Sequence, residues 1–261
     1  MPLAPKDLLL TDRVAVVTGG AVGIGRAIAA AFARFGADVA LCDRDADNLA
    51  RAGTEVEEAG RAVLTQVLDV REPDRVAEFA VAVRARFGRV DVLVNNAGGG
   101  FRSDFLSVNE KGQQALVREN FDSVTHFVRA FVPLMPPDGG SIINLTSVEA
   151  HRAAPGFAVY AAQKAAVASL TRSLALELGT SGIRVNCIAP DMIPTPGVGP
   201  LEGETGPVPL GLVGHVDDVA AAAVYLAGPM SRFVTGTTLH VDGGTSAAGG
   251  WRRLEDGSWA T

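Results

Sequence analysis

The stretch from position 14 to position 43 reads VAVVTGGAVGIGRAIAAAFARFGADVALCD. It begins with the apolar, β-branched run Val14–Thr18, which is typical of a buried strand. A glycine-rich turn follows, then the Ala-rich pattern Ile24–Phe35, which predicts a helix, and then a second apolar run, Asp38–Cys42. Strand, turn, helix and strand in this order predict a βαβ unit, whose two strands lie parallel in one sheet.

The same alternation of short strands and longer helices continues along the chain. Five more strands are predicted at Ala62–Leu68, Val92–Val94, Ser141–Leu145, Arg184–Ile188 and Thr238–Val241. Five more helices are predicted at Ala46–Ala59, Pro73–Phe87, Gln113–Leu134, Ala158–Leu178 and Val216–Leu226. The strands are apolar throughout, which is typical of a sheet covered by helices on both faces. We therefore predict one doubly wound α/β domain over residues 1–261, with ligands at the carboxyl ends of its strands.

The composition is that of an ordinary globular protein, with 48% hydrophobic and 20% charged residues. The formal net charge of −6 argues against a nucleic-acid partner, because such binders normally have basic surfaces. Cys42 and Cys187 lie inside predicted strands, so we expect buried thiols rather than a disulfide or a metal site. Neither a leader nor an apolar run of about 18 residues is recognisable, so we expect a cytoplasmic protein that does not enter membranes.

Two segments depart from the alternation. Residues 194–214 are dense in Pro and Gly, and a long irregular loop at this edge of the sheet favours a lid over an active site. The tail over residues 245–261 has no clear period but holds both tryptophans of the chain, Trp251 and Trp259. Disordered tails are usually poor in aromatic residues. We therefore expect the tail at a subunit interface or over the mouth of the site, with packing on its own subunit as the alternative.

The turn after the first strand has the spacing Gly19-x-x-x-Gly23-Ile24-Gly25. Glycines let the backbone turn sharply and approach a pyrophosphate, and the N-terminus of the next helix offers free N–H groups and a partial positive charge. Such a turn alone is weak evidence, but its place inside a βαβ unit favours a dinucleotide site. We expect these four residues to contact the cofactor.

The second strand is followed directly by Asp43 and Arg44. A carboxylate at this position can accept hydrogen bonds from both hydroxyls of the adenosine ribose, and it would repel a 2′-phosphate. Two alternatives remain. Asp43 could instead cap the next helix, although Asp45 could do so equally well, and Arg44 could bind the phosphate of NADP. We expect NAD as the cofactor, with NADP less favoured.

Two more strand ends carry residues suited to the same ligand. Asp69 and Val70 end the third strand, and Asn96, Ala97 and Gly98 follow the fourth. Because the carboxyl ends of parallel strands share one edge of the sheet, these residues should lie beside the adenine. A plain turn at the Asn-Asn-Ala-Gly sequence is the alternative.

A second set of residues points to proton transfer. Tyr160 and Lys164 are four positions apart in a predicted helix and share one face, and an ammonium beside a phenol should lower its pKa from about 10. Ser147 closes the fifth strand, from which its hydroxyl could hydrogen-bond the substrate oxygen that Tyr160 protonates. Asn120 is polar within an otherwise apolar helix pattern. It could hold a water that relays protons to Lys164, or it could simply face solvent.

Together these motifs resemble the short-chain dehydrogenase/reductase family, in its form of about this chain length. The residues that carry the resemblance are Thr18-Gly-x-x-x-Gly-Ile-Gly25, Asn95-Asn-Ala-Gly98, Asn120, Ser147, Tyr160-x-x-x-Lys164, Pro190 with Thr195, and Val241-Asp-Gly-Gly244. The resemblance implies a Rossmann fold and a catalytic set of Asn120, Ser147, Tyr160 and Lys164. It also implies that Lys164 contacts the nicotinamide ribose, and that the nicotinamide end contacts Pro190, Ile193 and Thr195, of which Thr195 holds the carboxamide.

Three features differ from the common family pattern. Asp191 follows the proline where many members have glycine, which puts a carboxylate near the nicotinamide end. The segment after the catalytic serine, Val-Glu149-Ala-His151-Arg, is more polar than usual, and His151 could touch the substrate or lie in a surface loop. The lid looks short, which favours an open pocket.

The resulting expectation is an oxidoreductase that interconverts a small secondary alcohol and a ketone, with the hydride carried by NAD(H) and Tyr160 as acid/base. The alternatives are an NADP-dependent reductase of β-ketoacyl thioesters and a non-catalytic nucleotide-sensing protein. Residues that could line a largely apolar pocket are Phe101, Phe157, Met192 and Leu201. The helix over Ala158–Leu178 is rich in alanine, and the resemblance implies that such helices pair between subunits, so we expect a homotetramer.

Overall fold

The computed structural model describes residues 4–196, 208–254 and 257–260. Within these residues, seven parallel strands form one sheet in the order β3-β2-β1-β4-β5-β6-β7. The strands are β1 (Val14–Thr18), β2 (Asp38–Asp43), β3 (Val63–Val67), β4 (Val92–Asn95), β5 (Gly140–Leu145), β6 (Ile183–Pro190) and β7 (Thr238–Val241). The strand order reverses between β1 and β4, which places a crevice at the carboxyl ends of these strands. The predicted doubly wound sheet is confirmed.

Helices cover both faces of this sheet. They are α1 (Gly23–Arg34), α2 (Ala46–Glu58), α3 (Pro73–Phe87), α4 (Glu110–Val117), α5 (Ser123–Phe131), α6 (Ala158–Glu177), α7 (Val216–Ala227) and the short α8 (Thr245–Ala248). The core under α1, α2 and α7 contains Phe32 and Val219. The core on the other face is built around Phe79, Phe127 and Phe131, whose rings pack 5.6–6.5 Å apart. Burial of both faces explains why the central strands β1 and β4 are almost entirely apolar. The outer strands β3 and β7 are partly exposed and contain Gln66 and His240, so the expectation of apolar strands throughout does not hold for them.

The helix predicted over Gln113–Leu134 differs from the observed structure. It begins earlier, at Glu110, because the side chain of Asn109 caps it by accepting a hydrogen bond from the Gly112 N–H at 2.9 Å. It is also interrupted by a π-helical turn, Arg118–Asp122, between α4 and α5. Such a turn holds one extra residue, and it lies at the site described below.

The two irregular segments are only partly described. The ends of the predicted lid, residues 194–196 and 208–214, have no helix or strand, and its middle, which includes Leu201, lies outside the described residues. The tail contains α8 and an antiparallel pair of very short strands, β8 (Arg252–Arg253) and β9 (Trp259–Ala260). Among the described residues, we find no helix with the length and apolar character needed to span a bilayer. Both cysteines are free and buried, as predicted.

Candidate active site

A cleft of about 610 Å³ lies at the carboxyl ends of the central strands. The sequence-predicted residues in its wall are Gly19, Gly23, Ile24, Asp43, Arg44, Asp69, Val70, Asn96, Ala97, Gly98, Tyr160, Lys164, Pro190, Ile193 and Thr195. One cleft therefore brings together nearly all of the residues predicted from separate strand ends. The wall as described does not include Gly25, Asn120 or Ser147, whose places are given below.

The glycine-rich turn needs glycine for two different reasons. Gly19 and Gly23 have φ values of 63° and 58°, which L side chains rarely adopt. At Gly25, a Cβ atom would lie 2.1 Å from the carbonyl oxygen of Gly19, closer than any real contact. Gly25 therefore lets α1 pack against the turn. The direct cofactor contact predicted for it stays a prediction.

The N-terminus of α1 points free donors into this turn. The helix follows Val22, and no side chain caps its first N–H groups. Uncapped N–H groups and the helix dipole suit an anion at this position. The turn and helix therefore fit the pyrophosphate of a dinucleotide.

A pair of polar side chains, Thr18 and Asn96, fixes the shape of the turn. The Thr18 hydroxyl oxygen accepts hydrogen bonds from the N–H groups of Asn96 and Ala97 at 3.0 and 2.9 Å. The Asn96 amide donates to the carbonyl oxygens of Thr18 and Gly19 at 2.9 and 3.1 Å. The side-chain amide of Asn96 therefore holds the protein's own backbone, so a cofactor contact by Asn96 would use its main chain. The sequence analysis missed this role of Thr18.

The structure separates the two interpretations of Asp43. Its carboxylate accepts hydrogen bonds from the N–H groups of Ala21 and Asp45, each at 3.1 Å. The cap of α2 is instead Asp45, which accepts from the Asn48 N–H at 3.1 Å. Asp43 lines the cleft beside the exposed Arg44. A carboxylate has about four acceptor positions, so Asp43 keeps capacity for ribose hydroxyls.

Asp69 lies in the same wall but is engaged by a neighbour. The Nε of Arg71 donates to both carboxylate oxygens of Asp69, at 2.9 and 3.0 Å. These hydrogen bonds lower the pKa of Asp69, which keeps it ionised. Val70 is buried and adds an apolar surface next to it.

Tyr160 and Lys164 lie one turn apart in α6, as the spacing predicts. Lys164 is buried, its Nζ donates to the carbonyl oxygen of Leu145 at 2.9 Å, and it lies 5.6 Å from the centre of the Tyr160 ring. Burial lowers the pKa of Lys164 to about 8, although the nearby Cys187 and Glu119 raise it in part.

The pKa of Tyr160 differs from the sequence-based expectation. Burial is the largest effect and raises the pKa, a hydrogen bond with Ser147 lowers it, and the charge of Glu149 raises it. The predicted lowering by Lys164 is not among these effects in the protein alone. The sequence-based expectation considered only the nearby ammonium of Lys164 and not the burial of Tyr160, which disfavours the charged phenolate. The phenol thus holds its proton at neutral pH, as a proton donor must.

The hydroxyl of Ser147 has hydrogen-bond partners on two sides. Its oxygen accepts a hydrogen bond from the Glu149 N–H at 3.2 Å, at the start of a short 3₁₀ turn after β5. The loop between β5 and α6 brings this hydroxyl to Tyr160, with which it forms a hydrogen bond. One carbonyl oxygen placed between the two hydroxyls could accept from both of them.

Asn120 lies in the π-helical turn, and it is buried rather than facing solvent. Its amide nitrogen donates to the carbonyl oxygens of Gly99 and Leu116 at 2.8 and 3.0 Å. Its amide oxygen accepts from the Gly99 N–H at 3.1 Å. A Cβ atom on Gly98 would lie 2.8 Å from this oxygen and 2.9 Å from Lys164 Nζ. Asn120 therefore joins the loop after β4 to the surroundings of Lys164.

Other residues of the cleft were missed by the sequence analysis. Glu119, Gly99 and Gly100 line it, and a Cβ atom on Gly100 would lie 3.0 Å from the Tyr160 ring. The run of three glycines after Ala97 was the signal for a close approach of this loop to other groups.

The departures from the family pattern have different places in the structure. Asp191 and Met192 line the cleft together with Phe157, whereas Phe101 borders a small adjoining hollow. His151 is exposed and packs edge-on against His240, with ring centres 4.8 Å apart. This packing favours the surface-loop interpretation of His151.

The doubly wound sheet, the dinucleotide cleft and the adjoining hydroxyl and ammonium groups define the class of nicotinamide-nucleotide oxidoreductases. A family model described as "Enoyl-(Acyl carrier protein) reductase" matches residues 19–246. The chain belongs to the short-chain dehydrogenase/reductase family. The resemblance inferred from the motifs is therefore confirmed.

Proteins similar to this chain carry several names. An uncharacterised oxidoreductase of Mycobacterium tuberculosis is 41% identical over 247 residues, which are 90% of this chain and 92% of the relative. A 3-oxoacyl-[acyl-carrier-protein] reductase of Chlamydia trachomatis is 36% identical over 90% of this chain and 98% of its own. Among solved structures, carveol dehydrogenase from Mycobacterium avium in complex with NAD is 29% identical. It has a TM-score of 0.85, and the match covers 90% of this chain and 97% of that one.

Proposed function

We propose that this protein interconverts a secondary alcohol and a ketone with NAD(H), with Tyr160 as the acid/base. The observation that carries the proposal is the convergence of Tyr160, Ser147 and Lys164 beside the cleft that holds the glycine-rich turn. A protein that only sensed a nucleotide would have no need for a protonated phenol at this position.

In the direction of ketone reduction, the substrate oxygen accepts hydrogen bonds from the hydroxyls of Ser147 and Tyr160. Tyr160 then transfers its proton to that oxygen while the carbon receives a hydride, which the reduced nicotinamide supplies when bound. The charge of Lys164 stabilises the phenolate that remains. Asn120 acts as a positioning residue for the loop of Gly98 and Gly99. Alcohol oxidation uses the same groups in reverse.

The cofactor residues divide along the cleft. We assign the pyrophosphate to Gly19, Gly23, Ile24 and the N-terminus of α1, the adenosine to Asp43, Arg44, Asp69, Val70, Asn96, Ala97 and Gly98, and the nicotinamide end to Tyr160, Lys164, Pro190, Ile193 and Thr195. NAD is supported by the carboxylate of Asp43, which faces the cleft and does not cap α2. The NAD complex of the similar carveol dehydrogenase agrees with this choice.

Cofactor preference is the test. We expect a higher kcat/KM with NAD(H) than with NADP(H), and Asp43→Ala should narrow or reverse that ratio because Arg44 then meets the 2′-phosphate unopposed. Asp47→Ala, which removes a neighbouring exposed carboxylate in the first turn of α2, should leave the ratio unchanged.

A preference of the wild type for NADP(H) would overturn the NAD assignment. It would favour the second candidate, a β-ketoacyl thioester reductase, which the 36% identical 3-oxoacyl reductase supports. A screen of steroids, short acyl ketones, sugars and polyols would identify the substrate class. If none of these compounds is oxidised or reduced, the result would favour a nucleotide-sensing protein instead.

We further propose a homotetramer, with residues 194–214 as a lid over the cleft. One face of α6 exposes only small side chains over three turns, Ala158, Ala162, Ala165 and Ser169, which would allow close helix–helix contact. Trp251 and Trp259 are 52% and 47% exposed in the single chain, which is unusual for tryptophan and supports a partner surface there.

A further inference from the structure

Asp191 lines the cleft, and it has charged neighbours that the proposed catalytic steps do not use. A guanidinium nitrogen of Arg152 lies 2.8 Å from a carboxylate oxygen of Glu149 and 3.5 Å from one of Asp191. We name these three residues the acidic wall. The charge of a third carboxylate, Asp242, also acts on Arg152.

The acidic wall has two carboxylates and one guanidinium, so its own net charge is negative. Although burial raises the pKa of Asp242, hydrogen bonds from Ser246 and Gly244 lower it overall, so that it stays ionised. Burial lowers the pKa of the nearby His151, which is therefore neutral at pH 7. Within the described part of the chain, three carboxylates therefore act on Arg152, whereas Arg172 acts on His151 and Lys164 lies beside Tyr160.

The acidic wall lies next to the groups that would hold the substrate oxygen. Asp191 and Tyr160 line the same cleft. Glu149 donates its N–H to the Ser147 hydroxyl, and its charge reaches Tyr160. The side chains of Glu149 and Asp191 are only 25% and 18% exposed, so water screens their charges incompletely.

The other side of Tyr160 is aromatic. The ring of Phe157 packs edge-on against that of Tyr160, with ring centres 6.5 Å apart, and Phe101 borders the adjoining hollow. Neither ring offers a cation to a substrate anion, and the buried ammonium of Lys164 donates to the carbonyl oxygen of Leu145. The positive charge of Arg152 is already offset by Glu149, which accepts its hydrogen bond, and by Asp191 at 3.5 Å, so it offers little net attraction to a substrate carboxylate.

On the basis of the function proposed above, we propose that the acidic wall selects neutral or cationic ketones and alcohols, and rejects those with a carboxylate one methylene away from the reacting carbon. A unit charge on each of two partly buried carboxylates should weaken binding of an anion about tenfold per charge. A pair of ligands of equal shape but different charge isolates this effect.

Acetoacetamide and acetoacetate form such a pair. We would measure their dissociation constants on the enzyme–NADH complex from the fluorescence of bound NADH. The wild type should bind the amide at least about tenfold more tightly, and Asp191→Asn should reduce this ratio about tenfold. Glu149→Gln should act in the same direction. The control, Glu177→Gln, removes the same charge from the exposed far end of α6 and should leave the ratio unchanged.

The possible failures are distinguishable. Equal affinity for the two ligands, a ratio that neither Asp191→Asn nor Glu149→Gln changes, or no binding of the amide would overturn the selection by charge. Absence of NADH binding, or no hydride transfer from NADH to any ketone, would instead overturn the proposed function. The binding ratio needs no turnover, so it tests the acidic wall even in an enzyme that does not reduce acetoacetamide.

Discussion

Replacement of Asn120 by alanine tests whether the π-helical turn positions the catalytic groups. The Asn120 side chain is 1% exposed and makes three hydrogen bonds, two of them to Gly99 and one to Leu116. Alanine removes all three and leaves both backbone groups of Gly99 without this partner. Each bond contributes about 1 kcal/mol, and unsatisfied buried groups cost more, so the free energy of unfolding should fall by about 3–4 kcal/mol.

This loss should be visible in both stability and activity. For a domain of about this size, 1 kcal/mol corresponds to roughly 2–4 °C, so the Tm should fall by about 6–16 °C. The loop of Gly98 and Gly99 contacts Lys164, and a displacement of about 1 Å among positioned groups can lower kcat about 10²-fold.

Asn109→Ala is the matched control. Asn109 is exposed and accepts a single hydrogen bond, from the Gly112 N–H, as the cap of α4. Its loss should cost about 1 kcal/mol and leave kcat unchanged. Thermal unfolding and steady-state kinetics on both variants give the comparison. An Asn120→Ala protein with a Tm within about 2 °C of the wild type and an unchanged kcat would refute the positioning role.

Three further outcomes are expected. Tyr160→Phe should lower kcat by 10²–10⁴-fold and leave the affinity for NADH unchanged, because only the acid/base hydroxyl is lost. Tyr225→Phe, which changes a packing residue of α7, should leave kcat unchanged. If Tyr160→Phe keeps more than about a tenth of the wild-type kcat, Tyr160 is not the acid/base. Burial lowers the pKa of Lys164 to about 8 from 10.5, so only the unfolded chain holds this proton between those values. The free energy of unfolding of the wild type, measured in urea relative to that of Lys164→Met, should therefore rise by about 3 kcal/mol between pH 8 and pH 10.5. A difference that does not change with pH would contradict the lowered pKa of Lys164. Truncation after Gly244 should reduce the mass of the assembly in light scattering or change KM, and no change in either would count against the proposed role of the tail.

The fold could be predicted from the sequence because its signals are local. Val14–Thr18 and Thr238–Val241 were predicted with their observed bounds, since both are apolar runs between breakers. Strands buried on two faces are rich in apolar residues and can be recognised in the sequence without reference to their neighbours. The buried polar residues Ser141, Asn144 and Asn186 are exceptions that side-chain hydrogen bonds satisfy. The order of the strands has no such local signal, and right-handed βαβ connections only limit the possible orders.

The π-helical turn at Asn120 could not be predicted in the same way. An apolar pattern that runs through Gln113–Leu134 indicates a helix but does not show one inserted residue. What favours the insertion is a partner distant in sequence, the loop at Gly99, which binds the Asn120 amide. Contacts of this kind have no local signature.

Most residues of the candidate site could also be predicted from the sequence, but the pKa values of some of them could not. Asp43 follows a strand and Tyr160 lies four residues before Lys164, and both facts are present in the sequence. The pKa of Tyr160 depends instead on burial, which is a property of the whole assembled cleft. The same is true of Asp191, whose pairing with Arg152 joins residues far apart in the chain.

The hydrogen bonds between Thr18 and Asn96 have a thermodynamic consequence for nucleotide exchange. Because they fix the glycine-rich turn within the folded chain, the conformational entropy of that turn is lost when the protein folds and not when a nucleotide arrives. The heat-capacity change of association at this end of the cleft should then reflect only the apolar surface that the ligand covers. A departing nucleotide leaves behind a turn already shaped for its successor, so its exit rate depends on the contacts broken rather than on any refolding of the turn.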